Sequence, residues 1–288
     1  MKGIILAAGA GTRLSPATLP ISKILLPIYD RPMVYYPLAM LMMAGIKDIL
    51  IITNEADSNN YKRTLGDGSQ FGINIDYDIQ YVQRGISDAF IIAKDWIGDD
   101  EVALILGDNI FYGEGIEQLV SEASGVKDGA VVFGYRVPDP QRFGVVGFDE
   151  NKKVTSLEEK PSNPKSDYAV VGLYFYDKCA STFAETLKPS ARGELEITDL
   201  NIKYLKKDKL SVRLFDDNVK WFDAGTFDSL LESSLFVAKE EKRIGKKILC
   251  PEIIAYRKGF VSKDSLMEWI GRNKDNEYFR SVKKEINS

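Results

Sequence analysis

A strand that runs straight into a glycine loop opens the chain, and it limits the folds open to the rest. Ile4, Ile5 and Leu6 are a short apolar run of the kind buried in a parallel sheet. Ala7, Ala8, Gly9, Ala10 and Gly11 follow without a bulky side chain among them. Such a loop lets backbone approach a ligand closely, and its successive N–H groups can converge into a nest for phosphate oxygens. Thr12 and Arg13 come next, Arg13 adding a fixed cationic fork, and Lys23 supplies a mobile charge beyond Pro16 and Pro20. A single anion needs less than this; a triphosphate uses all of it.

The loop is neither of the two commonest nucleotide fingerprints. Gly9-x-Gly11 is followed by Leu14 where a dinucleotide motif needs its third glycine, and no Gly-Lys-Ser/Thr closes a P-loop. A ligand-free strand-to-helix turn is the simplest alternative, and the two nearby cations weigh against it. The longer string LAAGAGTRLSP, followed by SKILLPI, resembles the signature of the sugar-phosphate nucleotidylyltransferases, the sugar-nucleotide pyrophosphorylases. Further matches run through nearly the whole chain and narrow the resemblance to the thymidylyltransferase branch.

Composition excludes several chemistries. With no histidine among 288 residues, Ser-His-Asp and Cys-His nucleophile systems and HExxH metal sites are ruled out. Catalysis must run on carboxylates, Lys, Arg, amides and a hard metal. Transfer to a phosphate monoester suits that set, because the second phosphate pKa, near ~6, leaves the nucleophile mostly ionised without a general base. A net charge of −4 gives no basic field for nucleic acid. No apolar run reaches membrane-spanning length and the N-terminus lacks a signal-peptide pattern, so the cytoplasm is expected. Cys179 and Cys250 are too few and too far apart for a disulfide framework or a zinc site.

Along the chain, strands are expected at Asp48–Thr53, Ile73–Gln80 and Val102–Leu106, alternating with helices at Pro32–Gly45, Asp57–Leu65 and Gly85–Trp96. Ala130–Tyr135, Gly144–Phe148, Val154–Leu157 and Tyr168–Tyr176 are strand-like. Helices at Lys178–Leu187, Glu196–Lys206 and Phe227–Glu241 complete the pattern. This is an α/β chain, and the resemblance implies a Rossmann-like nucleotidyltransferase fold with a mixed, mainly parallel central sheet flanked by helices. One domain is expected over residues 1–243, with a nucleotide-binding half at about 1–115 and a sugar-phosphate half at about 116–243. A helical C-terminal appendage at 244–288 is expected to carry subunit contacts or regulation.

Several residues stand where chemistry is expected. Asp108, in LILGDN, follows a buried strand, and ligand crevices lie at the carboxyl ends of such strands. By itself it serves equally well as a cap for the next turn. Asp223, in WFDAGT, emerges from an apolar segment, with Thr226 the better N-cap for the helix that follows. Glu159 and Lys160, in LEEKP, would point to opposite faces if the strand continued, and are otherwise a solvated strand end. Gln80 and Gly85 flank a loop; an amide can pair with the imide edge of thymine or uracil, although an exposed loop Gln is the plainer reading.

The resemblance assigns roles. It implies Mg²⁺ held by Asp108 and Asp223, and dTTP bound by Ala8, Gly9, Gly11, Thr12, Arg13, Lys23, Gln80, Gly85 and Asp108. Glucose 1-phosphate would lie among Asn109, Gly144, Glu159, Lys160 and Val170, with Arg13, Lys23 and Lys160 catalytic. The product would be dTDP-glucose, the start of a route to dTDP-rhamnose and deoxysugars. The resemblance also implies a homotetramer, a dimer of dimers, with Glu252 and Arg257 in a regulatory site. Another nucleotide or hexose, or a non-catalytic sugar-nucleotide sensor, are the alternatives. Three departures bear on specificity: Ile24 stands where a Gln amide is usual, the loop Tyr81–Arg84 replaces a proline-rich one, and Asp88 takes a position usually held by Gln.

Overall fold

The computed structural model describes residues 1–273 and 275–288. Its first strand, β1 (Lys2–Ala7), is apolar on both faces because both are covered. Ile5 packs into the cluster on one side of the sheet and Ile4 into the cluster on the other. A small hairpin, β2 (Pro27–Ile28) with β3 (Arg31–Pro32), leads into α1 (Tyr35–Met43), whose residues from Tyr36 to Met42 are all buried. The next strand, β4 (Asp48–Thr53), repeats the division, with Ile49 and Ile51 on one side and Leu50 and Ile52 on the other. Burying such a side chain is worth about 1.5–3 kcal/mol, so a strand patterned like this is stable only between two layers.

Helix α2 (Ser58–Leu65) returns the chain to β5 (Asn74–Ile79), and α3 (Asp88–Ile92) and α4 (Lys94–Ile97) return it to β6 (Val102–Leu106). The helix expected over Gly85–Trp96 is thus two short ones. Four strands in the order β6-β1-β4-β5 are parallel. A strand not anticipated from the sequence, β7 (Asn109–Tyr112), leaves this sheet at once, and α5 (Ile116–Ala123) follows it.

The second half adds β8 (Ala130–Arg136), β9 (Gly144–Phe148), β10 (Val154–Glu159) and β11 (Tyr168–Tyr176). Helices α6 (Ala180–Glu185) and α7 (Ile197–Leu205) then precede β12 (Leu210–Leu214) and β13 (Lys220–Asp223). Strand β11 is antiparallel to β6, β8 and β9, β10 is antiparallel to β9, and β12 is parallel to β8. Following these senses through the nine-stranded sheet, all but β10 and β11 run one way, so it is mixed and mainly parallel. Strand β13 instead pairs antiparallel with β7 in a two-stranded ribbon, with Asp223 opposite Asn109.

Helix α8 (Phe227–Ile244) starts on the cap read from the sequence: Thr226 and Ser229 form a reciprocal capping box, and Gly245 ends the helix at φ 68°. Helices α9 (Pro251–Arg257), α10 (Lys263–Arg272) and α11 (Glu277–Asn287) share a small apolar cluster that includes Ile253, Leu266 and Val282. Ile254 and Ala255 of α9 belong instead to the main core, beside α1. A buried ionic network helps to fasten this end of the chain. Arg31 donates to Glu241 (2.6 Å) and to the Ile248 carbonyl (2.7 Å), while Lys247 pairs with Glu241 (2.8 Å) and with Asp30.

Candidate active site

The carboxyl ends of β1, β4, β5 and β6 share one rim, and the glycine loop crosses it. Among the described residues the N–H groups of Gly9, Ala10 and Gly11 have no backbone partner, so they are free to form a nest. Gly11 holds φ at 64°, and a Cβ there would stand 3.0 Å from Thr18, whose hydroxyl donates back to the Gly11 carbonyl (2.9 Å). The turn carrying Lys23 is braced from below. Ser22 Oγ bonds Tyr61 Oη (2.8 Å), and its N–H donates to Asp57 (2.9 Å).

Lys23 makes an ion pair with Asp108 at the end of β6, both side chains nearly buried. Burial by itself would raise the Asp108 carboxyl. The charge and hydrogen bond of Lys23, with a hydrogen bond from Asn109 (3.0 Å), outweigh it and hold that carboxyl below its ordinary range. The β7–β13 ribbon then delivers Asp223 beside Asp108. Asn109 Oδ1 accepts from Trp221 Nε1 (2.7 Å) and from the Gly172 N–H (3.1 Å), locking ribbon to sheet. Burial and the neighbouring Asp108 charge push the Asp223 carboxyl up, against Lys23 and Arg13. Gly225 makes room for this arrangement, since a Cβ there would lie 2.9 Å from both Arg13 Nη2 and Asp223 Oδ1.

Arg13, Asp108 and Asp223 line one end of an open cleft of about 560 Å³ whose other end is lined by Gly144, Glu159, Lys160 and Val170. Glu159 and Lys160 do not point to opposite faces. Strand β10 stops at Glu159, and Lys160 takes φ 44°, a left-handed conformation unusual for a side chain of its size, which turns the chain so that both line the cleft. Glu159 accepts from Thr198 Oγ1 (2.6 Å), and a Cβ on Gly144 would lie 2.9 Å from that hydroxyl. Arg192 forks Glu196 (2.8 Å) and reaches Glu159 (3.4 Å), fixing the start of α7 against the same carboxylate. The β11–β8 register shifts between Val170 and Tyr174 as β11 passes the cleft.

Among the described residues, no group of three or more His, Cys, Asp or Glu side chains is arranged to hold a metal by itself. Asp108 and Asp223 nonetheless make a fitting donor set for Mg²⁺, a hard cation that takes one or two carboxylates and completes its shell with water and phosphate oxygens.

A cationic fork, paired carboxylates and a second lysine in one cleft, with the glycine loop just before the fork, are the parts of a phosphoryl-group transfer site, and the comparisons agree with that chemistry. Residues 2–240 match the model of a family described as nucleotidyl transferase. The chain belongs to this family. It is 52% identical to the glucose-1-phosphate thymidylyltransferase of Neisseria meningitidis serogroup A over 278 residues, 96% of each chain. The Mycolicibacterium smegmatis enzyme of the same name is 53% identical over 266 residues, 92% of each. A Bacillus anthracis chain solved with sucrose under that enzyme name superimposes with a TM-score of 0.76 at 43% identity, over 82% of this chain and 94% of that one. A UDP-glucose pyrophosphorylase solved with UDP-glucose shares the fold, with a TM-score of 0.72 at 24% identity over 83% of this chain and 98% of that one.

Other residues of this nucleotidyl transferase fall as follows. Gln80 and Gly85 lie on the same rim, past the end of β5, and Gln83 Nε2 donates to the Ala8 carbonyl (3.1 Å), clasping their loop to the glycine loop. Ile24 is buried beneath Gly107, so its replacement of an amide changes packing, not a surface open to a ligand. Arg257 lines a separate cavity of about 320 Å³ beside α9, whereas Glu252 is wholly buried, accepting from Tyr278 Oη (2.7 Å). Arg142, Trp221 and Thr198, none of them among the expected site residues, also line the cleft. Trp221 stands in the WFDAGT segment and Thr198 in the GELEITDLN block that the resemblance extends to, whereas Arg142, two residues before Gly144, was legible only as a cation beside a candidate glycine.

Proposed function

We propose that this nucleotidyl transferase moves a deoxythymidylyl group from dTTP to α-D-glucose 1-phosphate, giving dTDP-glucose and pyrophosphate. The observation that carries the reading is the meeting of Asp108 and Asp223, distant in sequence, between Arg13 at the glycine loop and Lys160 across the cleft. The names of relatives near half identity supply the nucleotide and the sugar.

A phosphate oxygen of the sugar 1-phosphate attacks the α-phosphorus in line; the new P–O bond forms as the α–β bridge breaks, and its electron pair leaves with pyrophosphate. The glycine loop N–H groups and Arg13 hold the β- and γ-phosphates and take up the charge that grows there. Lys23 neutralises the α-phosphate. Lys160 holds the incoming phosphate within reach, and Glu159, kept in place by Thr198 and Arg192, accepts from sugar hydroxyls. Gln80 and Gly85 meet the base. Mg²⁺, held by Asp108 and Asp223, would supply further charge neutralisation on the phosphates. The chain does the rest by positioning.

Lys160→Ala is expected to raise KM for glucose 1-phosphate about tenfold or more while dTTP binding, measured by calorimetry, stays within about twofold. Equal losses for both substrates would count against the assignment. The decisive assay is pyrophosphate release with Mg²⁺ across dTTP, UTP, CTP and ATP against several hexose 1-phosphates, with products weighed by mass spectrometry. Turnover centred on dTTP and glucose 1-phosphate is the expected result. Nucleotide binding without turnover would favour a sensor.

The same reading includes a cytoplasmic homotetramer, a dimer of dimers, with a second nucleotide site at the cavity lined by Arg257, Lys246 and Tyr112. Among the described residues no helix is long and apolar enough to cross a membrane. Light scattering that gives a monomer at working concentration would remove the tetramer.

A further inference from the structure

Asp88 stands at the start of α3, where the side chain of a helix-starting aspartate ordinarily turns toward solvent or caps the helix. Here it is 1% exposed and caps nothing. One carboxylate oxygen accepts from Gln80 Nε2 (3.0 Å) and the other from Arg84 Nη2 (2.7 Å), whose side chain is half in solvent. The Gln80 amide nitrogen also approaches the Gly85 carbonyl (3.4 Å).

These contacts decide which way the amide faces. A carboxylate oxygen and a backbone carbonyl both accept, so only the NH₂ end of Gln80 fits between them; the flipped amide would set oxygen against two acceptors. The opposite end, Oε1, accepts nothing among the described residues and is not sealed from solvent. It sits on the rim where Gln83 ties this loop to Ala8. The loop itself is rigid at this point. Gly85 holds φ at 103°, and a Cβ there would lie 2.6 Å from the Leu195 carbonyl oxygen.

We propose that Asp88, braced by Arg84, is a positioning residue that fixes the Gln80 amide with its oxygen toward the nucleobase, so that the site accepts a base carrying a ring N–H donor and rejects cytosine. The inference rests on the nucleotide site proposed above. Thymine and uracil offer N3–H to that oxygen, whereas cytosine offers a bare N3, and two acceptors would then face each other without water between them. A different residue could occupy position 88 and still fill the space; only an acceptor without a donor forces one amide orientation. An asparagine keeps its oxygen for the Arg84 guanidinium and presents its NH₂ to Gln80, so the Gln80 amide is driven toward the flipped orientation.

The test compares dTTP with dCTP, by calorimetric binding and by kcat/KM, on the full-length protein and on Asp88→Asn. The unsubstituted protein is expected to prefer dTTP by about a hundredfold or more. In Asp88→Asn that ratio is expected to fall about tenfold or more, with KM for glucose 1-phosphate unchanged. Equal losses for both nucleotides, leaving the ratio intact, would show a merely structural role and overturn the proposal. If Asp88→Asn does not fold, Arg84→Ala carries the test, with about a threefold fall in the same ratio expected and an unchanged ratio again overturning it. Failure of the underlying reading is visible earlier: an unsubstituted protein with no preference for dTTP over dCTP sinks the thymidylyl assignment, and this proposal with it, before any variant is made.

Discussion

Asp223→Asn is expected to lower kcat about 100- to 1,000-fold while making the substrate-free protein more stable. Loss of turnover follows from removing one of the two carboxylates that meet at the cleft, in a reaction that depends on charge placement. The gain in stability comes from the same placement. Asp223 is half-buried beside the Asp108 charge, and both effects push its carboxyl pKa up. A carboxyl whose pKa is higher folded than unfolded binds its proton more tightly in the folded state. Its penalty is therefore absent at low pH, grows as pH rises from the unfolded value to the folded one, and is full at neutrality. A neutral amide of the same shape removes that penalty. In chelator-treated protein at pH 7, Tm should rise by about 1–4 °C, and the gap should close as the pH is lowered through the acid range. A lower Tm for the variant at pH 7 would mean that the two carboxylates do not oppose each other in the folded protein.

Arg13→Ala is expected to cost about 100-fold or more in kcat, with KM for dTTP changed less than about threefold. The guanidinium is exposed, beyond the glycine loop and beside Asp223 and Gly225, so its removal disturbs no packing. Its proposed partner is the charge that accumulates on departing pyrophosphate, which is greater in the transition state than in bound dTTP. An interaction realised mainly there appears in kcat. A variant that raised KM alone would show that Arg13 binds dTTP and its transition state equally, and the role assigned to it would be wrong. Steady-state kinetics at saturating glucose 1-phosphate separate the two outcomes.

Much of the cleft is written locally. A strand that runs into small residues, with Arg13 two residues after Gly11 and Lys23 beyond the prolines, favours a turn with cations beside its free N–H groups over a ligand-free one. Asp108 at the end of β6 follows from the same rule, because strand ends of a parallel sheet face the crevice. The Thr226 cap was equally plain. Elsewhere local reasoning stopped short. The alternation expected for Glu159 and Lys160 fails because Lys160 adopts φ 44°, a strained turn held by its N–H bond to the Phe143 carbonyl (2.9 Å) and invisible in a string of letters. The ribbon of β7 and β13 was not foreseen for a related reason. NIFY and KWFD are too short to alternate detectably, and each is a strand only because the other lies beside it.

By itself the sequence limited the class of chemistry, and the loop string that carries the family resemblance named it: a chain without histidine, with a glycine loop, paired cations and hard carboxylates, and with alternating apolar segments that require a two-sided sheet. These are properties of composition and short-range order, fixed by sterics and by which groups can carry charge. Tertiary structure alone decided that Asp223 meets Asp108, that Glu159 and Lys160 share a face, and that Asp88 sets the direction of the Gln80 amide. Each is a contact between side chains whose nearness depends on strand pairing or on a backbone turn, and no spacing in the chain encodes that distance.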